Sequence, residues 1–203
     1  MLARYENTSQ SAQFSDCANE NVRPIQRVFY YFLFFSFIGF VFESVIFPLY
    51  YHHFKEWQGP LHGPWLVLYG FGGLFLLMIL GRLLDRKLMV GRFNVMPVVV
   101  FLLTFSIVTM VEFVGHWALE TFFNVVLWDY SPEPFNLQGR VCLFNSMAFA
   151  TLGVAVLYLV VPIIEKGLAG LSRQSNRVLC SILLGAFVVD FVYSFGIILA
   201  GMF

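Results

Sequence analysis

Glu112, His116 and Glu120 recur at four-residue intervals inside an otherwise apolar stretch. On a helix this spacing puts all three on one face. Two carboxylates and an imidazole aimed the same way could form part of a metal site. A metal site would need further ligands, from Glu43 or Asp129. The plainer alternative, a wet interfacial helix end, is the favoured one, so no metal and no cofactor are expected. No HExxH pattern points to a metalloprotease. Glu43 is a second intramembrane carboxylate, and such groups are costly in lipid and are retained for pairing or function. With Glu112 it is the candidate catalytic or ligand-binding pair, one of the two kept protonated by burial if the site does acid–base work. Asp190, in the last apolar block, reads as either a structural partner or a pore-facing acid. His62 and Tyr69 lie near the start of the second block.

The elements that carry these residues follow from hydropathy. Hydrophobic residues make up 59% of the 203 and charged residues 12%. A soluble domain of this size could not hide so much apolar surface. The apolar residues fall into five long blocks, about 28–51, 61–84, 95–119, 141–164 and 178–203. Crossing a bilayer core takes roughly 20 residues as helix, and in lipid each segment must satisfy its own backbone. The expected fold is therefore all-α: five transmembrane helices in a single domain over 28–203, preceded by a polar arm, 1–27, that is mobile or interfacial. The first apolar block starts too late and runs too long for a cleavable signal peptide.

The twelve lysines and arginines divide unevenly among the connections. Arg4, Arg23 and Arg27 precede the first block; Arg82, Arg86, Lys87 and Arg92 follow the second; Lys166, Arg173 and Arg177 follow the fourth. The intervening side has only Lys55 and Arg140. Basic loops stay in the cytoplasm, which predicts a cytoplasmic N-terminus and an outer C-terminus. Trp57, Trp65, Trp117 and Trp128 then all fall at the outer interface, where indole rings favour the headgroups. Glu43 lies about 22 Å of helical rise from the cytoplasmic start, in the outer third, and Glu112 has a similar depth.

The two outer connections are unusual. Residues 58–64 hold two Gly-Pro pairs, which break helices and suggest an ordered turn or a short re-entrant dip. Residues 128–140 mix aromatic, turn-forming and polar side chains more densely than a connector needs. They read as a structured lid, with Arg140 neutralising the outer carboxylates or meeting a lipid phosphate. Ser146/Ala150 and Ser181/Gly185 are small-residue pairs that permit close helix contact. The tyrosines and histidines of 50–53 read as interfacial. Cys17, Cys142 and Cys180 show no disulfide or metal-type spacing; Cys142 and Cys180 begin antiparallel spans and should lie near opposite faces.

Trp128-Asp129-Tyr130-Ser131, followed by Pro134-Phe135-Asn136 and Gly139-Arg140-Val141-Cys142-Leu143, resembles the ABC-transporter type IV, or CmpB-like, family of small polytopic membrane proteins, with the vertebrate transmembrane protein 229 group as relatives. Tyr69-Gly70-Phe71-Gly72 is similar to that family's YGFG, with Gly59-Pro60 before it. Gly39 and Glu43 in a GxxxE setting, Glu112 followed by Gly115, and Glu120 also resemble family positions. The resemblance covers about 29–162, four of the five spans. One departure is His62-Gly63-Pro64-Trp65, where bacterial members read Cys-Pro or similar. The resemblance implies a permease-like transporter component in a multi-pass membrane protein, in the plasma membrane if bacterial. From the reading of the residues together with the resemblance, the candidate binding site comprises Glu43, His62, Tyr69, Glu112, His116, Glu120, Trp128, Asp129, Tyr130, Asn136 and Arg140.

The expected partners are the bilayer, a lipid or small-molecule ligand, and separate membrane or ATPase subunits. The chain has no Walker A sequence, so any ATP hydrolysis belongs to another chain. Zero net charge argues against nucleic acid. Two other classes stay open: a membrane-embedded enzyme acting on a lipid or lipid-linked group, and an accessory or scaffold subunit.

Overall fold

A computed structural model describes residues 21–46, 48–49, 59 and 61–201. The polar arm before Asn21, the 50–53 aromatic and histidine run, Lys55, Trp57 and Cys17 lie outside them. The expected five spans are present: Pro24–Ile46, Val67–Leu84, Met96–Phe123, Leu143–Ala169 and Arg173–Ala200 are each long and apolar enough to cross a membrane. Within them run α1 (Pro24–Val41), α2 (Val67–Leu84), α3 (Met96–Ala118), α4 (Leu143–Ala155), α5 (Val161–Ala169) and α6 (Arg173–Ala200). Three wide π-helical turns extend or join them: Phe42–Ile46, Leu119–Phe123 and Val156–Val160. Such turns interrupt the regular ladder and are frequent at functional sites. The first contains Glu43 and the second Glu120.

Helix boundaries follow local chemistry. Proline suits a first turn, where its missing N–H is not needed; Pro24 opens α1 and Pro97 sits in the first turn of α3. Ser172 caps α6 by accepting from the Ser175 N–H at 3.1 Å, which satisfies one of the orphan amides of a helix start. Asn124, at φ 55°, ends the turn after α3 in the left-handed region that asparagine tolerates.

The chain forms two compact units, one of residues 1–75 with 161–203 and one of residues 76–160. In the first, Gly70 lets α2 lie tight on α1: a Cβ there would come within 2.3 Å of Ser36 Oγ and 2.6 Å of the Phe32 ring. Gly39 is as tight against Tyr69, at 2.2 Å. Phe32 packs edge-on to Phe187 of α6, the ring centres 5.6 Å apart. In the second, Leu76, Leu80, Met96, Val100 and Leu157 form an apolar core. There α3 and α4 pack closely, with Thr104 and Ala150 fully buried and Gly153 admitting the Thr104 methyl. Of the small-residue pairs, Ser146/Ala150 is buried in this packing, whereas Gly185 faces open space. Two short hairpins complete this unit, β1 (Met89–Val90) with β2 (Phe93–Asn94) and β3 (Asn136–Leu137) with β4 (Val141–Cys142). Leu68, Met78, Met110 and Val189 are largely exposed, as apolar side chains facing lipid are.

Candidate functional site

In the second unit, the stripe on α3 and the turn after it is the seat of a folded loop. Glu112, His116 and Glu120 each meet a different residue of the segment between α3 and α4. Tyr130 donates its hydroxyl hydrogen to Glu112 Oε1 at 3.0 Å. His116 Nε2 lies 2.9 Å from the Trp128 carbonyl. That oxygen can only accept, so Nε2 carries a hydrogen. Arg140 donates to Glu120 Oε2 from Nη2 at 2.8 Å and from Nε at 3.3 Å. Trp128 Nε1–H donates to the Arg140 carbonyl at 2.9 Å, which ties the two ends of the loop together. The Arg140 guanidinium also stands 5.4 Å above the Phe113 ring, in reach of a cation–π contact.

The loop's own fold explains its residue types. Asp129 Oδ1 accepts from the Ser131 N–H at 2.9 Å, an Asx turn. Hydrogen bonds from Ser131 hold the Asp129 carboxyl below its usual range. Asn136 Nδ2 donates to the Glu133 carbonyl at 2.8 Å and its Oδ1 accepts from the Gly139 N–H at 3.1 Å. Gln138 and Gly139, at φ 56° and 68°, turn the β3–β4 hairpin, and the Arg140 N–H closes that turn on the Leu137 carbonyl at 3.1 Å. A Cβ at Gly139 would strike Ser131 Oγ at 2.5 Å. Asp129 and Asn136 therefore build the loop, while Trp128, Tyr130 and Arg140 dock it.

Burial and the charge of Glu112 push the Tyr130 hydroxyl's ionisation up. Tyr130 thus stays a proton donor toward Glu112. His116 is buried and its Nδ1 faces Glu120 Oε2 at 3.8 Å. Burial raises the ionisation of the Cys142 thiol, which keeps it protonated within β4. No group of three His, Cys, Asp or Glu among the described residues is arranged to hold a metal ion.

In the first unit, Tyr69 donates to Glu43 Oε1 at 2.5 Å. Each of the two candidate carboxylates therefore has a tyrosine hydroxyl, within its own unit. His62 turns to a different partner. Its backbone N–H donates to Ser194 Oγ at 3.2 Å, and its Nδ1 lies 2.7 Å from the same oxygen. The next amide, Gly63 N–H, donates to Asp190 Oδ2 at 3.1 Å. Asp190 and Ser194 are one turn apart on α6, so two consecutive amides of the Gly-Pro segment clamp onto one helix face. Asp190 is thus the structural partner of that segment. The Leu66 N–H donates to the Ser36 carbonyl at 3.1 Å and ties the same segment to α1.

Ser194, Asn145, Asn176 and Glu165 were not singled out from sequence. Glu165 accepts from the Tyr31 hydroxyl and pairs with Arg27 Nε at 3.5 Å. Glu165 stands just past the end of the fourth apolar block, beside Lys166, where an acid reads as a loop residue; nothing marked the neutral residues.

No curated protein and no solved structure is significantly similar to the chain. The family model described as "Putative ABC-transporter type IV" matches residues 30–195, reaching into the fifth span, beyond the range over which the motifs were read. With five apolar helices of spanning length, this match makes the protein a multi-pass integral membrane protein, transporter-like in kind. The chain belongs to the ABC-transporter type IV family.

Proposed function

We propose that the protein is a permease-like component that binds a small molecule or lipid at a site near the non-cytoplasmic surface, with Glu112 as the sensing carboxylate and the 124–142 loop as its gate. The observation that carries this reading is the Tyr130–Glu112 hydrogen bond. A ligand bearing an ammonium or hydroxyl group competes with Tyr130 for Glu112, and its arrival releases the loop from α3. Trp128 and Arg140 add two further bonds to the same helical stripe, so the loop keeps part of its seat when Tyr130 is displaced. Glu43 with Tyr69 offers a second carboxylate–tyrosine pair of the same chemistry. The excess of lysine and arginine on the alternate connections supports a cytoplasmic N-terminus, and with it an outward-facing loop. ATP-hydrolysing subunits, where needed, come from other chains.

The test compares wild type with Glu112→Gln, both purified in lipid nanodiscs, by mass spectrometry of copurifying lipids and small molecules. A species held by wild type and absent from a well-folded Glu112→Gln supports the reading. Identical sets in the two preparations rule it out.

A membrane-embedded enzyme is the second reading, favoured by Ser194 Oγ lying 2.7 Å from His62 Nδ1 with Asp190 Oδ1 at 3.4 Å. A serine paired with an imidazole is the minimum of a nucleophile and its base. Covalent labelling of Ser194 by a fluorophosphonate probe would support it. An unlabelled protein leaves these residues as the clamp on the 61–66 segment.

A further inference from the structure

The opposite end of the first unit carries a concentration of positive charge that neither proposed site uses. α1 and α6 begin side by side there, joined through Asn176. This buried residue donates from Nδ2 to the Asn21 carbonyl at 2.9 Å and to Gln26 Oε1 at 2.9 Å, and its Oδ1 accepts from the Tyr30 hydroxyl at 2.8 Å. The knot gathers Arg23 and Arg27 of the α1 start with Arg173 and Arg177 of the α6 start. Glu165 of α5, paired with Arg27, brings Lys166 to the same end. Five cations thus meet one acid of this end among the described residues, and that acid is already engaged by Tyr31 and Arg27. Glu43 and Asp190 are too distant to compensate: they lie 16 residues beyond Arg27 and 13 beyond Arg177, about 24 and 20 Å of helical rise.

The cations are interleaved with apolar side chains that face outward. Ile25 and Val28 flank Arg27, and Val178 follows Arg177; they are 72%, 46% and 53% exposed. A free phosphate would use the charge and leave these side chains unexplained. A phospholipid uses both, its headgroup among the arginines and its acyl chains along the adjoining helix faces. We propose that this end of α1, α5 and α6 is a binding site for an anionic phospholipid. Basic residues at helix ends near the surface attract acidic headgroups with an energy that adds per residue and is screened by salt. The site is independent of the Glu112 gate and would remain if that reading failed.

Native mass spectrometry of the full chain with an equal mixture of phosphatidylglycerol and phosphatidylcholine tests this. Wild type should retain phosphatidylglycerol preferentially, and rising salt should erase the preference. Arg173→Gln/Arg177→Gln should lower it on the order of tenfold, whereas Arg173→Lys/Arg177→Lys should keep it. Arg82→Gln/Arg86→Gln, which removes the same charge from the second unit, should also keep it. Absence of any preference in wild type overturns the proposal whether or not the variants fold, and so does an equal loss in the Arg82/Arg86 variant.

Discussion

The Tyr130 hydroxyl reaches Glu112 Oε1 at 3.0 Å, so a loop residue closes directly onto a carboxylate of a membrane-spanning helix. Two further contacts, Trp128 with His116 and Arg140 with Glu120, continue along the same helical stripe. The i, i+4, i+8 array is, in this fold, a track on which a loop is seated.

Removing the Tyr130 hydroxyl tests the first of these contacts. Tyr130→Phe should cost about 1 kcal/mol, the usual worth of one such hydrogen bond. Hydrogen–deuterium exchange should rise across 124–142 and stay unchanged in α6. Unaltered exchange in the loop would show that Glu112 does not hold it.

Arg140 and Glu120 should couple weakly. Glu120 is 44% exposed, and ion pairs in that setting contribute at most about 1 kcal/mol. A double-mutant cycle of Arg140→Gln and Glu120→Gln, read by thermal unfolding, should give a coupling in that range. A value several times larger would mean the pair is shielded from solvent.

The Asp129 turn should respond to acid. Its folded-state pKa is depressed by Ser131, so its contribution is complete above the ordinary carboxylate value, about 3.9. That contribution is lost as pH falls through the lower folded value. Protection of the Ser131 amide should therefore drop only below the ordinary carboxylate range, and Asp129→Asn should show no such step. Loss of protection near neutral pH would contradict this assignment.

The two glycines of Tyr69-Gly70-Phe71-Gly72 should behave oppositely. Gly70→Ala forces a Cβ into Ser36 and Phe32 and should cost about 1–3 kcal/mol by overpacking. Gly72 has nothing within 4 Å, so Gly72→Ala should be neutral or slightly stabilising. Thermal unfolding of the two variants in detergent checks the pair; equal behaviour would place the α1–α2 contact elsewhere.

Asp190 and Ser194 should fail together. Asp190→Ala leaves the Gly63 amide without its acceptor, a loss of about 1–3 kcal/mol. The 61–66 segment should then exchange faster, as it should in Ser194→Ala. Asp190→Asn keeps an acceptor oxygen and should be milder. A protected segment in Asp190→Ala would separate it from α6.

Much of the frame was legible because lipid forces each span to be long, apolar and self-bonded. The ends were less so. Expected to start at 28, α1 begins at Pro24, and α6 begins at Arg173 where 178 was expected. Proline geometry and the Ser172 cap extend both helices through polar residues that hydropathy reads as loop. The stripe of Glu112, His116 and Glu120 was visible from its period, and the loop was visible from its composition. Their union was not, because nothing local ties Tyr130 to Glu112. Ser194 and Asn176 were invisible for a related reason: a neutral polar residue in a span costs little by itself, and its importance lies in a partner more than a hundred residues away.

Surface labelling of residue 137, an exposed side chain of the loop, tests the gate most directly. With Leu137→Cys placed in a Cys17→Ser/Cys142→Ser/Cys180→Ser background, a membrane-impermeant maleimide should label intact cells, and faster when Tyr130→Phe is added. Labelling that appears only after the membrane is permeabilised would put the loop on the cytoplasmic side and contradict the account.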